Sequence, residues 1–402
     1  RLTRYPMMEF QMQESFKVSE EKQHQLIRFF QRVNLALPFE GNSMKIFQDG
    51  SSMLQALLAT INSAKHHIHV EFYIFEDDAV GCLVKDALIE KAREGVEIRV
   101  LYDDVGCWKV PHRFYDEMRE AGIEVRGFLK VRFPRFTSKV NYRNHRKLVV
   151  VDGRIGFVGG MNLAERYLKG VPWGIWKDIM MQVEGKAVYG LQMAFLTDWY
   201  ATDHSLITSS SYFPQMEDKG TSLMQVVTSD PVGEWKDIMQ GLLIAITSAQ
   251  KYVYIQSPYL LPTEPILLAL KTAAAAGVDV RIMIPEKSDS RMVHWGTMSY
   301  LQELMEAGIK IYMYQKGFLH SKLIVCDDCL SSVGSTNMDF RSFEHNFEAN
   351  AFMYDRTSAL MLKDIFLSDQ KDAKLLHLKE WRMRPWSQKV KESVIRLFAP
   401  LL

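Results

Sequence analysis

Residues 145–162 read HRKLVVVDGRIGFVGGMN and residues 320–337 read HSKLIVCDDCLSSVGSTN. One constant offset of 175 positions carries His145 onto His320, Lys147 onto Lys322, Asp152 onto Asp327, Gly159 onto Gly334 and Asn162 onto Asn337, with no gap. Upstream the likeness continues more weakly: SAKHHIHVEFYIF at 63–75 with SAQKYVYIQSPYL at 248–260, EGVEIRV at 94–100 with AGVDVRI at 276–282, and AGIEV at 121–125 with AGIKI at 307–311. A repeat this long is no solenoid unit, so the chain holds two copies of one domain. At 402 residues it has the length for two lobes of roughly 150 to 200 residues each.

The periodicity within the first copy predicts a helix over Met53–Ser63, a strand over His67–Phe75 and a helix over Val80–Arg93. A second strand over Ile98–Tyr102, a helix over His112–Ala121 closed by Gly122 and a third strand over Ile123–Phe128 follow. Strands alternating with helices of this length imply an α/β fold. We expect two pseudo-symmetric lobes, each a mostly parallel β-sheet flanked by helices, with the active site between them. The segment DHSLITSSSYFPQMEDKG at 203–220 is rich in Ser and acidic residues and separates the copies. The lobes are therefore placed at 1–205 and 206–402.

In HRKLVVVD the residues are apolar after the start, as in a strand covered on both faces. His145 and Lys147 are two apart and share a side of it; Asp152 has the opposite parity, and Asp152-Gly153 signals a turn. A His, a Lys and an Asn thus converge from each hairpin. Two such trios suit attack on a phosphodiester: one imidazole is the nucleophile at phosphorus, and the other protonates the leaving oxygen and then deprotonates the acceptor. Lys147, Asn162, Lys322 and Asn337 are the candidate phosphate ligands. The catalytic candidates are His145, Lys147, Asp152, His320, Lys322 and Asp327, with the two aspartates expected to brace their turns. No cofactor and no metal is called for.

The doubled HxKxxxxD followed by G-x-x-N resembles the motif of the phospholipase D superfamily. Within that superfamily the chain is similar to the bacterial cardiolipin synthases over nearly its whole length. The matching stretches are VEFYIFEDDAVG at 70–81, GVEIRVLYDDVG at 95–106, NYRNHRKLVVVDGRIGFVGGMN at 141–162, QSPYLLP at 256–262, GFLHSKLIVCDD at 317–328, SSVGSTNMDFRSFEHNFEANAF at 331–352 and RLFAPLL at 396–402. The resemblance implies phosphatidyl transfer from one phosphatidylglycerol to the hydroxyl of another through a covalent phosphohistidine, with release of glycerol. It favours His145 as the nucleophile. It also places an acid that orients the imidazole some 25 to 35 residues beyond each motif histidine, where Asp178 and Glu348 stand. Lys177 occupies a position where many relatives carry Arg. The expected location is the bacterial cell membrane, with a hydrophobic membrane segment upstream of Arg1; the oligomeric state is left open.

The remaining features carry less. No run of about 18 apolar residues could span a bilayer, which makes the chain itself soluble or peripheral. Cys82, Cys107, Cys326 and Cys329 are too few for a disulfide framework, and Cys326-x-x-Cys329 lacks the second pair of a zinc site. From Lys130 to Lys147 there are seven basic residues and no acidic one, a stretch expected to hold anionic headgroups of phosphatidylglycerol at a membrane surface. Asp103 and Asp104 are read as caps of the next segment. Glu71 and Gln256, at equivalent strand positions, either face the cleft or serve structure. The 22 methionines fill the core or line a channel for acyl chains. The amphipathic VKESVIRLFAPLL rests on a membrane or docks on the second lobe. A phospholipase D-type hydrolase, another phosphatidyltransferase and a nuclease of the same superfamily are the alternatives, although no nucleic acid partner is expected. A catalytically dead scaffold would have lost a motif His or Lys, and none is missing.

Overall fold

The computed structural model describes residues 21–130 and 141–399. The fold is α/β, and most described strands of both copies join in one continuous sheet. Its order from edge to edge is Ala373–Leu375, Lys310–Tyr314, Asp279–Pro285, Tyr252–Gln256, Leu323–Cys326, Leu330–Gly334, Asn346–Met353, Ser222–Ser229, Pro38–Phe47, Met180–Glu184, Ile155–Gly159, Lys147–Val151, His67–Phe72, Glu97–Asp103 and Glu124–Phe128. Within it, parallel pairing runs through His67–Phe72, Glu97–Asp103 and Glu124–Phe128, and through Tyr252–Gln256, Asp279–Pro285 and Lys310–Tyr314. The motif hairpins and the strands that join the copies are antiparallel.

The local reasons are visible in the sequence. Every residue of His67–Phe72 is buried, as a strand covered on both faces requires. The helix Gly50–Ser63 begins where the Asp49 carboxylate accepts the Ser52 N–H at 2.8 Å. The helix Ala79–Arg93 begins where Asp78 accepts from Val80 and Gly81. The turns that lead back into the sheet at Gly122 and Gly308 have φ of +88° and +92°, a conformation glycine adopts without a Cβ penalty.

One core packs around the first copy, with Phe72, Phe75, Val100, Leu57 and Phe114, and a second around the later one, with Val253, Ile282, Leu301 and Leu304. A third cluster lies between them on the central strands and includes Val150, Met181, Met224 and Met353. Methionines fill these cores, among them Met53, Met180, Met283 and Met338. The helix Glu21–Val33 precedes the first copy, yet Leu26, Ile27 and Phe30 join the second core. A division by sequence order at residue 205 therefore assigns residues 21–36 to a lobe whose core they do not join.

Candidate active site

Two short ladders build the site, one a separate pair of strands and the other a branch on the main sheet. The strand Gly317–Leu319 pairs in parallel with Ile175–Lys177, with Leu319 opposite Lys177. The next residues in that register are His320 and Asp178. In the same way Arg143–Asn144 pairs in parallel with Asn346–Phe347, with Asn144 opposite Phe347, and the next residues are His145 and Glu348. Backbone bonds lock both steps: His320 N donates to Lys177 O at 2.6 Å and His145 N to Phe347 O at 2.9 Å. Each histidine thereby meets the carboxylate of the other copy.

His145 Nδ1 lies 3.0 and 3.1 Å from the two carboxylate oxygens of Glu348, and His320 Nδ1 lies 2.6 Å from Asp178 Oδ2. An Nδ1–H donated to a carboxylate leaves the imidazole lone pair on Nε2. Glu348 is further held by the Ser335 hydroxyl and by Asn346 Nδ2 at 3.1 Å. Asp178 accepts its neighbour's N–H from Ile179 at 2.8 Å. Gly160, the counterpart of Ser335, leaves room for it: a Cβ there would stand 2.2 Å from Asp178 Oδ1.

Burial pushes the His145 pKa down to about 4, with help from Lys147 and Lys322 and against the pull of Glu348. Burial and then Lys322 lower that of His320. Burial also brings Lys147 down to about 7 and Lys322 down to about 8. For Glu348, burial acts upward, but His145, Lys147 and Ser335 outweigh it and hold the carboxyl below its usual range. Both imidazoles are thereby biased to their neutral form.

Both imidazoles face a cleft of about 280 Å³, whose walls include Asn162, Asn337, Arg143, Arg166 and Arg341. A larger cavity of about 1030 Å³, lined in part by Arg146 and Asp198, carries neither histidine. The two asparagines differ. Asn162 spends its carboxamide inside the protein, accepting from Ile74 N at 3.1 Å and donating to Tyr167 OH at 2.7 Å. The Asn337 carboxamide oxygen is buried with no partner among the described residues. Aromatic rings enclose His320, with Trp176, Phe318, Tyr259 and Tyr167 at centroid distances of 5.2, 5.5, 6.3 and 6.4 Å. His145 has Tyr73 at 5.0 Å.

These positions bear on several sequence expectations. Asp152 and Asp327, grouped above with the catalytic candidates, are bound up away from the cleft. Asp152 accepts the N–H groups of Lys65, His66 and His67, and Asp327 those of Gln250, Lys251 and Tyr252. They clamp the chain as it enters the strands His67–Phe72 and Tyr252–Gln256, and each adopts a left-handed turn conformation. Asp178 and Glu348 do lie beside imidazoles, but each beside that of the other copy. Lys147 and Lys322 lie beneath their histidines, where each ammonium donates to the histidine's own carbonyl. Lys322 Nζ is also 2.8 Å from His320 Nδ1.

The stretch from Lys130 to Lys147 is not one solvated face. Arg143, Arg146 and Lys147 are buried, and Arg132, Phe133, Arg135, Phe136 and Lys139 lie outside the described residues. Arg146 pairs with Asp198 and donates to the carbonyls of Glu348 at 3.0 Å and Ser229 at 3.1 Å. Glu71 is buried next to that pair, with Asn144 Nδ2 on its carboxyl, and burial followed by the Asp198 charge raises its pKa well above the usual range. Gln256 lies in the corresponding network of the second copy, taking the Ser321 hydroxyl at 2.6 Å and donating to Asp369 at 2.9 Å. Lys177 supplies the cation there, 2.9 Å from Asp369. Asp103 caps the following turn through Val105 and Gly106 and also accepts Asn144 N at 2.8 Å. Cys326 ends a strand and Cys329 follows its turn, both buried as free thiols.

Tyr73, Tyr167, Trp176, Tyr259, Arg166 and Arg341 were not singled out from sequence. Tyr73 and Tyr259 carry the one usable signal, since Tyr73 follows directly on the strand at 67–72 and Tyr259 stands three residues after the repeated strand at 252–256.

A family model described as cardiolipin synthase, PLD-like domain, matches residues 57–199 and 242–370. A cardiolipin synthase of Geobacillus kaustophilus (strain HTA426) is 41% identical over 383 residues, covering 94% of this chain and 76% of the relative. The major cardiolipin synthase ClsA of Bacillus subtilis (strain 168) is 42% identical over 372 residues, covering 92% and 77%. Among solved structures, a phosphatidylserine synthase of Haemophilus influenzae Rd KW20 superposes with a TM-score of 0.70 at 15% identity, covering 94% of this chain and 100% of that one. A polyphosphate kinase of Porphyromonas gingivalis gives 0.55 at 12% identity, covering 90% and 53%. These two likenesses concern the fold.

Proposed function

This chain belongs to the cardiolipin synthase family of phospholipase D-like proteins, and we propose that it makes cardiolipin from two molecules of phosphatidylglycerol through a phosphohistidine. The observation that carries the mechanism is the crossed pair of imidazole–carboxylate bonds, His145–Glu348 and His320–Asp178, on the walls of one cleft. The neutral Nε2 of His145 attacks the phosphorus of the donor lipid. The bond from phosphorus to the glycerol headgroup breaks, and the departing oxygen takes a proton from His320. The bound phosphodiester anion raises the pKa of His320 and so supplies the protonated form. In the second half, His320 takes the proton of the acceptor's hydroxyl. That oxygen attacks phosphorus, the P–N bond breaks, and cardiolipin leaves with His145 restored.

Glu348 and Asp178 fix the tautomers and stabilise the positive imidazolium of each step. Asn337, on the cleft wall with its carboxamide oxygen unpartnered among the described residues, is the better placed of the two asparagines to meet substrate. Lys147 and Lys322 act on the phosphoryl group as buried cations, and Arg341 and Arg166 on the cleft wall hold the anionic headgroups. The reaction takes place at a bacterial membrane, where both lipids reside.

The test is a product assay on phosphatidylglycerol vesicles. Cardiolipin and glycerol are expected in equal amounts. Phosphatidic acid and glycerol without cardiolipin would assign the protein to the hydrolases instead.

A further inference from the structure

The last helix of the described chain is inside out. Surface helices bury an apolar stripe and expose their polar side. The helix Trp386–Arg396 buries Glu392, which is 1% exposed and paired with Arg384, and fixes its end through Arg396 to Glu303. Trp386, Val390 and Val394 of this helix are exposed, while Ile395 is half-buried. Met383, Trp386, Val390, Val394, Leu397 and Phe398 recur every three to four positions and are all exposed, Trp386 and Leu397 to 79% each. The next residue, Ala399, is on the wall of the active-site cleft.

An exposed apolar residue next in the chain to a cleft-lining one recurs elsewhere. Leu168 is exposed beside the lining residue Tyr167, Ile175 beside Trp176, and Met292 beside Val293. Trp108, 76% exposed, tops a turn that packs on the lining residue Tyr73, where Cys107 Sγ meets the Tyr73 carbonyl at 3.5 Å. Five separate elements thus place a large apolar side chain outward next to a residue that lines the cleft. Exposed cations flank them: Lys109 follows Trp108, Arg291 precedes Met292, and Lys391 lies on the helix itself. Apolar side chains interleaved with Lys and Arg complement the boundary between acyl chains and anionic headgroups.

We propose that this ring, with the outward stripe of the helix Trp386–Arg396, is the surface on which the protein sits on an anionic bilayer, with the mouth of the cleft against the headgroups. The inference rests on the reading that the substrates are bilayer lipids. It adds which face meets them. A lipid bound this way need not leave the leaflet fully: its headgroup enters the cleft while its chains stay in the bilayer.

The test uses the full chain and a Trp386→Ser/Val394→Ser/Leu397→Ser variant, with Trp108→Ser made separately. Flotation with vesicles of equal phosphatidylglycerol and phosphatidylcholine measures binding, and a short-chain phosphatidylglycerol below its micellar concentration measures turnover without a surface. The triple variant is expected to bind vesicles at least about tenfold more weakly, Trp108→Ser less so, with turnover of the monomeric lipid unchanged in both. Parent-like vesicle binding by the triple variant overturns the proposal, as does a parent that does not bind vesicles. So does a parent that is a dimer which the triple substitution splits while vesicle binding persists, since the face would then belong to a second copy. If the variants lose vesicle binding but the parent turns over neither form of the lipid, the docking surface stands and the substrate reading fails.

Discussion

The two halves of the active site follow one plan and differ in how they carry it out. His145 faces both oxygens of Glu348, which Ser335 and Asn346 also hold; His320 faces one oxygen of Asp178, which fits because position 160 is glycine. One layer deeper, the first half neutralises buried Asp198 with Arg146, the middle residue of its own motif. The second half has Ser321 at that place and neutralises Asp369 with Lys177 from the other copy. Farther out, His67 and His69 of the first copy stand where the second has Tyr252 and Tyr254. What each half must do to phosphorus is kept in duplicate. What merely balances a buried charge or fills a strand face has drifted, and each drift is matched by a neighbour.

The largest effect should come from the residues kept in both halves. His145→Ala and His320→Ala are each expected to lower turnover at least about 1000-fold with the fold unchanged, because neither imidazole can do both tasks in one step. Circular dichroism alongside the product assay checks this. A half that tolerates the loss would break the symmetry of the account. Turnover of labelled lipid quenched in alkaline denaturant, which preserves the P–N bond, should then leave label on His145 and none on His320. Next in size, Glu348→Gln and Asp178→Asn should each cost about 100- to 10,000-fold, by loss of tautomer control and of the charge that stabilises imidazolium.

The deeper layer predicts unequal stability effects. Arg146→Ala leaves Asp198 buried beside Glu71 without its cation and should cost about 3–5 kcal/mol in denaturant unfolding. Ser321→Ala, at the same place in the repeat, removes one neutral hydrogen bond and should cost about 1 kcal/mol. Equal costs would mean that the two networks do not differ as described.

The smallest contrast concerns acid. In the fold, burial holds His67 at about 4 and His69 well below its usual value, whereas an imidazole in the unfolded chain titrates near about 6.5. Between those values the unfolded state binds more protons, so stability falls as the pH drops from about 6.5 to about 4, on the order of 3 kcal/mol for His67. Glu97 and Arg99 on the neighbouring strand, Gln192 and Tyr212 pack around these rings. The tyrosines of the second copy do not titrate in this range. Hydrogen exchange should therefore show the amides of His67–Phe72 losing protection on acidification before those of Tyr252–Gln256.

Much of this could be read from the sequence because it is local or duplicated. The helices and the strand expected at Met53–Ser63, Val80–Arg93 and His67–Phe75 follow from periodicity and are found at Gly50–Ser63, Ala79–Arg93 and His67–Phe72, and the motif pairs stand out by their constant offset. The crossing of the carboxylates was not legible. It depends on two ladders of two and three residues, Arg143–Asn144 with Asn346–Phe347 and Gly317–Leu319 with Ile175–Lys177, too short to leave a pattern. Nor could charge alone show that Arg143, Arg146 and Lys147 are buried, since their partners, Asp103 and Asp198 among them, are distant in sequence. The amphipathic pattern of the last helix was visible, but which side it turns outward is set by Glu392, Arg384 and Glu303.

The central claim is that each imidazole is held by the carboxylate of the other copy. It is tested most directly by nitrogen-15 NMR of protein labelled at histidine, with His145→Ala and His320→Ala used for assignment. Glu348→Gln should shift the ring nitrogens of His145 and leave those of His320 in place, and Asp178→Asn should do the reverse. If Glu348→Gln instead moves the His320 signals, each carboxylate serves its own copy and the crossed site is wrong.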